Sequence, residues 1–311
     1  MNAFSSATIL AATFLFPALA QTGSSQFAGR WDITLTSPTR TWGQWMEIVE
    51  KDGRLHGRVQ PAGGAVRDIV EAKTDGSVLT VVLSAAAGDR PAQQWELTLA
   101  GGKLTGSQKQ GENVTQIVAV RAPELKRPMP KSWSKPVPLL NGKDLSGWEP
   151  MGDPKNSRWV ARDGELVNDN PGRGGANIKT TRKFDDFKLH IEVNCPEHGN
   201  SGIYLRGRYE IQVGTEGGTQ PSHEMGAIYG YYAPAGNLPE RLGEWTSFDI
   251  TLVGRTVTVV RDGVTIHDKV EIPGITGGAL DSNEAEPGPF FLQGDHQGVI
   301  RYRNITISTP Q

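Results

Sequence analysis

Between Phe27 and Arg121, apolar residues recur at every second position in short runs: Gly29 to Leu35, Trp45 to Val49, Leu55 to Val59, Val78 to Leu83, Trp95 to Leu99, Leu104 to Ser107 and Thr115 to Val120. This is the period of a half-buried strand, whose successive side chains leave opposite faces. Lys51-Asp52-Gly53, Asp75-Gly76 and Gly101-Gly102 separate runs and supply the positive φ of tight hairpin turns. The pattern predicts a meander of about seven or eight antiparallel strands, closed or nearly closed as a small barrel. The same alternation assigns Trp31, Trp45 and Trp95 to the core rather than to ligand platforms.

Residues 123–138 have no apolar period, but contain five prolines and four Lys or Arg, the composition of a semi-rigid extended linker. Beyond them period-two alternation returns in Phe187 to Val193, Gly202 to Arg206, Tyr209 to Val213, Thr246 to Val253, Val257 to Val260, Phe290 to Gln293 and Val299 to Ile307. Short strands with no helical period predict a two-sheet sandwich. The longest gap, Thr215 to Gly243, exceeds an ordinary connection and is expected to border a binding surface. The chain is therefore read as all-β: a small antiparallel barrel-like domain over residues 23–122, a linker over 123–138 and a β-sandwich over 139–311.

Charge changes the picture by exclusion. Thirty-two Lys plus Arg against thirty-four Asp plus Glu leave a net charge of -2, no electrostatic footprint for a nucleic acid or an anionic membrane. A short apolar run ending in Ala18-Leu19-Ala20 reads as a secretory signal over residues 1–20, which places the mature chain in a bacterial periplasm or outside the cell. No other stretch is apolar enough to span a bilayer. Cys195 is the only cysteine, so an intrachain disulfide and a zinc site of several thiolates are excluded. It reads as a small buried hydrophobe. Oligomeric state leaves no trace in the pattern.

Strand parity then sorts polar residues. Lys188, His190, Glu192 and Asn194 oppose the apolar Leu189, Ile191 and Val193; Tyr204 and Arg206 oppose Ile203 and Leu205; Glu210 and Gln212 oppose Ile211 and Val213. Tyr, Arg, Glu, Gln and Asn bind sugar hydroxyls well, so this side is read as a concave carbohydrate groove. The competing reading of Arg206 and Glu210 is a surface ion pair.

These residues also carry a family resemblance. Leu139-Leu-Asn-Gly-Lys-Asp-Leu-Ser-Gly-Trp148, Asp163-Gly-Glu-Leu166, Asn200-Ser-Gly-Ile-Tyr-Leu-Arg206, Tyr209-Glu-Ile-Gln212, Gly243-Glu-Trp245, Leu292-Gln293 and Arg301-Tyr-Arg-Asn-Ile305 follow one another as in the 3-keto-disaccharide hydrolase family. The resemblance spans Val137 to Ile307. It implies a concanavalin-like jelly roll, an exported protein, and an oxidised disaccharide or glycoside, ketonic at C3, as substrate. The barrel lies outside it.

A ketone at C3 makes the C2 proton acidic, so a base can remove it and the enolate can expel the C1 oxygen; hydration of the product completes a net hydrolysis. Such an elimination needs a base near C2, a donor near the C3 oxygen and an acid near the leaving oxygen. The resemblance implies His296 as the base, because it falls where the family has Gln-Asp-His-Gly. This chain inserts Gly294 there and carries Gln297 in place of the last Gly. Asp295 is implied to orient His296 or to serve a metal, Arg206 to stabilise the enolate, and Glu210 to act as acid or second base. Glu192, Gln212, Tyr204, Asn200, Gln293 and Asp295 are implied to hold substrate.

Val213-Gly214 stands where relatives have an aliphatic residue and Asp. Glu216, His223 and Glu224 in the next loop either replace that carboxylate or are solvated. Tyr229, Tyr231 and Tyr232 either stack on a sugar or pack the loop. No cofactor and no metal ligand is assigned, and a divalent metal stays open. Two other readings stand beside elimination: a non-catalytic carbohydrate-binding module using the same groove, and a glycosidase in which Glu192 and Glu210 face each other about 5–10 Å apart.

Overall fold

The computed structural model describes residues 24–84, 91–214, 220–236 and 238–311. The expected signal, residues 1–20, lies outside them. Strands β1 (Gly29–Thr36), β2 (Thr41–Lys51), β3 (Arg54–Gln60), β4 (Arg67–Asp75), β5 (Val78–Leu83), β6 (Gln93–Ala100), β7 (Lys103–Gln110) and β8 (Asn113–Arg121) each pair antiparallel with the next. Strand β1 also pairs with β8, so the meander closes into a barrel without free edges. Strand β4 has no counterpart in the sequence pattern. Its side chains are mostly exposed and its register slips between Ile69 and Glu71, which blurs the alternation.

Inward residues, among them Trp31, Ile33, Leu35, Met46, Ile48, Leu79, Val81, Trp95 and Leu97, fill the barrel with side chains. Trp45 is fully buried, as its alternation predicts, but on the outside of the barrel, lying over Gly274 and edge-on to Tyr231 with centroids 5.9 Å apart.

Residues 137–311 supply β9 (Val137–Pro138), β10 (Trp148–Pro150), β11 (Trp159–Arg162), β12 (Glu165–Asn170), β13 (Ile178–Thr180), β14 (Phe187–Asn194), β15 (Asn200–Leu205), β16 (Tyr209–Gly214), β17 (Trp245–Val253), β18 (Thr256–Arg261), β19 (Val264–Glu271), β20 (Phe291–Leu292) and β21 (Gly298–Ser308). One sheet has five strands in the order β10-β13-β20-β15-β16. The other, of eight, runs β11-β12-β21-β14-β17-β18-β19, with β9 pairing off this path to β21. Ile203, Leu205, Ile211, Val213 and Leu292 of the first sheet pack on Leu189, Ile191, Val193, Phe248 and Tyr302 of the second. The fold is thus a barrel followed by a jelly-roll sandwich.

The Pro-rich segment is not a free spacer. Val137 and Pro138 pair with β21, Ser134 N donates to Thr309 O at 2.8 Å, and Arg127 binds Asp185 and Asp186. Barrel and sandwich also meet directly. Gly43 packs where a side chain would overlap Ile275, Arg30 pairs with Glu271 at 2.6 Å, and Thr34 and Ser282 hydroxyls lie 2.8 Å apart. The β3–β4 loop joins in, Ala62 O accepting from Gly278 N at 2.8 Å and Val66 N donating to Gly230 O at 3.2 Å.

Candidate functional site

The β15–β16 hairpin sets Tyr204 opposite Glu210 and Gly202 opposite Gln212. Their odd neighbours Ile203, Leu205, Ile211 and Val213 enter the core, so Tyr204, Glu210 and Gln212 share the outer face of the five-stranded sheet. The Glu210 carboxylate folds diagonally over Gly202, where any Cβ would overlap Oε1. This is the physical reason for glycine within Asn200-Ser-Gly-Ile-Tyr.

Tyr204 Oη donates to Glu210 Oε2 at 2.7 Å and lies 3.0 Å from Gly277 O. Its ring stacks on Phe291 of the adjacent β20 at 3.7 Å. Thr276 Oγ1 accepts from Glu210 N, and Gln212 Nε2 donates to Asn200 Oδ1 at 3.2 Å. Burial, and then the neighbouring Glu210, hold the Tyr204 phenol well above its usual range, so it keeps its proton.

The face is not the open groove read from the sequence: Tyr204, Glu210 and Gln212 are each no more than 2% exposed. Residues 224–232 lie along the free side of β16. Gln212 N donates to Ala227 O, Gly226 N to Gln212 O and Tyr229 N to Glu210 O. Tyr229 stacks on His223 at 4.6 Å, while Tyr231 donates to Ile275 O and packs on the barrel's Trp45. The long loop therefore borders this face, and segment 274–278 closes over it. The part played by Gly277 and Thr276 had no signal in the sequence, where they resemble any turn. Glu216 lies outside the described residues.

His296 lies in the loop that leads from β20 of this sheet to β21 of the other, with its side chain 29% exposed. Its Nδ1 is 2.7 Å from Asp295 Oδ1. The inserted Gly294 is locked: its N donates to Asn177 Oδ1 at 2.8 Å, its carbonyl accepts from Asn170 Nδ2 at 3.0 Å, and a side chain there would overlap Ala176 and Trp159. Asn170 Nδ2 also bonds His296 O at 3.1 Å. Gln293 N donates to Gly202 O, and its buried Oε1 has no partner among the described residues.

Two expected members are elsewhere. Arg206 is wholly buried, but its backbone turns left-handed (φ 54°), which breaks strand parity and swings the side chain away from Glu210. Its guanidinium donates to the carbonyls of Glu284, Glu286 and Gly254 and lies 3.5 Å from Asp185. It clamps loops and cannot face an enolate. Glu192 belongs to β14, in the other sheet, and points outward there, bonded to Arg303 and Asn304 at 2.7 and 2.6 Å. Glu192 and Glu210 occupy opposite surfaces of the sandwich, which removes the facing-carboxylate glycosidase.

Cys195 is buried, and burial with the charge of Glu240 pushes its thiol up to about 12. Among the described residues no three His, Cys, Asp or Glu side chains gather as a metal site.

A jelly roll whose outer sheet face carries a carboxylate, a phenol and amides, with a carboxylate–imidazole pair in the loop after β20, has the build of a carbohydrate-active domain. Residues 135–308 match the family model of the 3-keto-alpha-glucoside-1,2-lyase-like domain. This is more than half of the chain, which belongs to that family. A candidate glycosyl hydrolase from Parabacteroides distasonis is similar at 30% identity, over 59% of this chain and 93% of that one, with a TM-score of 0.48. A second from the same organism shares 24% identity over 58% and 100% of the two chains, TM-score 0.43. A carbohydrate-binding module, CBM66 of Bacillus subtilis, shares 12% over 52% and 96%, TM-score 0.30. A comparison with curated proteins finds no match.

Proposed function

We propose that the sandwich cleaves 3-keto-glycosides by elimination. The reading rests on family membership, and the observation that carries it is the Tyr204–Glu210 pair on one sheet face together with the Asp295–His296 pair in the loop that follows β20 of the same sheet. His296, oriented by Asp295, takes the C2 proton through Nε2, and the electron pair of that C–H bond moves into the C3 carbonyl as an enolate. As the carbonyl re-forms, the C1–C2 double bond forms and the C1–O bond breaks. Tyr204 and Glu210 are no more than 2% exposed, so on this reading the segment 274–278 draws back to admit substrate, and the leaving oxygen takes a proton from the Tyr204–Glu210 pair. Water then adds across the double bond. With Arg206 committed elsewhere, donors to the enolate come from amides such as Gln212 and Gln293.

The protein acts, on this reading, after export to the periplasm or the cell exterior. No helix among the described residues is long and apolar enough to cross a membrane.

The test is incubation of the full chain with an aryl 3-keto-glucoside and with the unoxidised glucoside, each with and without chelator. Aglycone release from the first alone supports elimination, and its response to chelator reports on metal. Binding without release from either substrate leaves a carbohydrate-binding module, and equal release from both overturns the dependence on a ketone.

A further inference from the structure

The barrel belongs to no matched family region, and one end of it is not filled. Following inward positions past Met46, Ile69, Trp95 and Leu104 leads to a polar layer: Trp42 and Gln44 on β2, Arg67 on β4, Gln93 on β6, and Gln108 and Gln110 on β7. All border a cavity of about 460 Å³, within the range of small-molecule sites. Gln220, from the sandwich loop, reaches the same cavity.

The wall of this cavity is chemically incomplete. Gln44 and Gln108 are 5% and 8% exposed, yet the side chain of neither makes a hydrogen bond with any described residue. Their Oε1 atoms, Trp42 Nε1 and Arg67 Nε are buried without partners among the described residues. Folded proteins pair nearly all such groups, because an unmet buried donor or acceptor forfeits its hydration for nothing. Apolar residues of equal size would fill these positions without that loss. Four such groups border one cavity, so a molecule seated there would find both donors and acceptors to pair.

We infer that the barrel mouth binds a saccharide unit. Each sugar hydroxyl both donates and accepts, matching amides that also present both. Trp42 adds a flat apolar wall, braced from one side by the Arg40 guanidinium 4.5 Å from its ring centroid. No Asp or Glu is among the described lining residues, so a neutral ring meets no carboxylate there. The β3–β4 loop that roofs the cavity is the loop hydrogen-bonded to Gly230 and Gly278 of the sandwich, so the mouth opens beside the cover of the Glu210 face. The site does not depend on which reaction the sandwich performs.

The test is calorimetric titration of the full chain with unoxidised glucose, maltose and cellobiose, with tryptophan emission followed in parallel. Saturable binding of at least one sugar is expected. The double variant Gln44→Leu, Gln108→Leu should weaken it at least about tenfold, the effect of losing about one net amide pairing. That variant should melt no lower than the parent, since it removes two unmet amides. Trp42→Phe, which keeps one aromatic ring but deletes the indole donor and part of the flat wall, should weaken binding several-fold and serves if the double variant fails to fold. His296→Ala should leave the affinity unchanged. The proposal falls if none of the sugars binds, or if their affinity survives Gln44→Leu, Gln108→Leu and Trp42→Phe but is lost with Gln212→Leu.

Discussion

The phenol of Tyr204 donates to Oε2 of Glu210 at 2.7 Å across directly paired positions of β15 and β16. Both groups are buried, so the bond is not diluted by water. Tyr204→Phe keeps the ring stacked on Phe291 and removes only the donor. Turnover of a 3-keto-glucoside should fall by about 10² or more, the contribution of a positioned proton-transfer group. Steady-state kinetics beside a melting curve checks it, and an unchanged kcat would separate the pair from the chemistry.

Gly202 leaves room for the Glu210 carboxylate. Gly202→Ala should displace that carboxylate, destabilise the fold by about 1–3 kcal/mol as overpacking does, and reduce kcat as far as Glu210→Gln does. Urea unfolding and kinetics on the same preparations read both effects. A fully active Gly202→Ala would show that the position of Glu210 is not critical.

Asp295 holds one ring nitrogen of His296 at 2.7 Å. Asp295→Asn should lower kcat with little change in KM, and His296→Ala should remove about 10²–10⁴ of the rate. Added imidazole should restore part of the His296→Ala loss, an effect that a structural histidine would not give.

Arg206 and Glu192 should behave unlike site residues. Breaking the buried Arg206 clamp with Arg206→Met leaves buried carbonyls without a donor and should cost about 1–3 kcal/mol, while kcat per folded molecule holds. Glu192→Gln, on the opposite surface, should leave kcat and KM unaltered. Loss of turnover in Glu192→Gln would mean that substrate bridges both faces.

At the domain junction Asp32 is buried beside Glu284, which also accepts from Tyr209 at 2.7 Å and Arg255 at 3.1 Å. Burial, and then the charge of Glu284, raise the Asp32 carboxyl to about 10. The folded protein therefore keeps a proton that the unfolded chain has released above about pH 4. By linkage, this contribution to stability is greatest below that pH and is lost progressively as pH rises towards 10. Melting temperatures measured across this window should fall less steeply in Asp32→Asn than in the parent. Parallel profiles would mean that Asp32 is ionised in the native protein.

The sequence by itself determined the strand period, the hairpin turns, the two-part organisation and the motifs of the family. It also determined that Tyr204, Glu210 and Gln212 share the side of their hairpin opposite Ile203 and Ile211, because alternation assigns each residue to the wet or dry side of its own strand. Alternation does not say which sheet a strand joins. Hence Glu192 and Glu210, alike in parity, ended on opposite surfaces, a result of β14 pairing with β17 and β21.

Nor does parity survive a left-handed residue, which is how Arg206 left the face its neighbours share. The cover over Glu210, made by residues 224–232 and 274–278, and the burial of Trp45 against the sandwich are contacts between segments far apart in the chain. They depend on surface complementarity formed only when barrel and sandwich pack. No local period encodes that, so tertiary structure alone decided it.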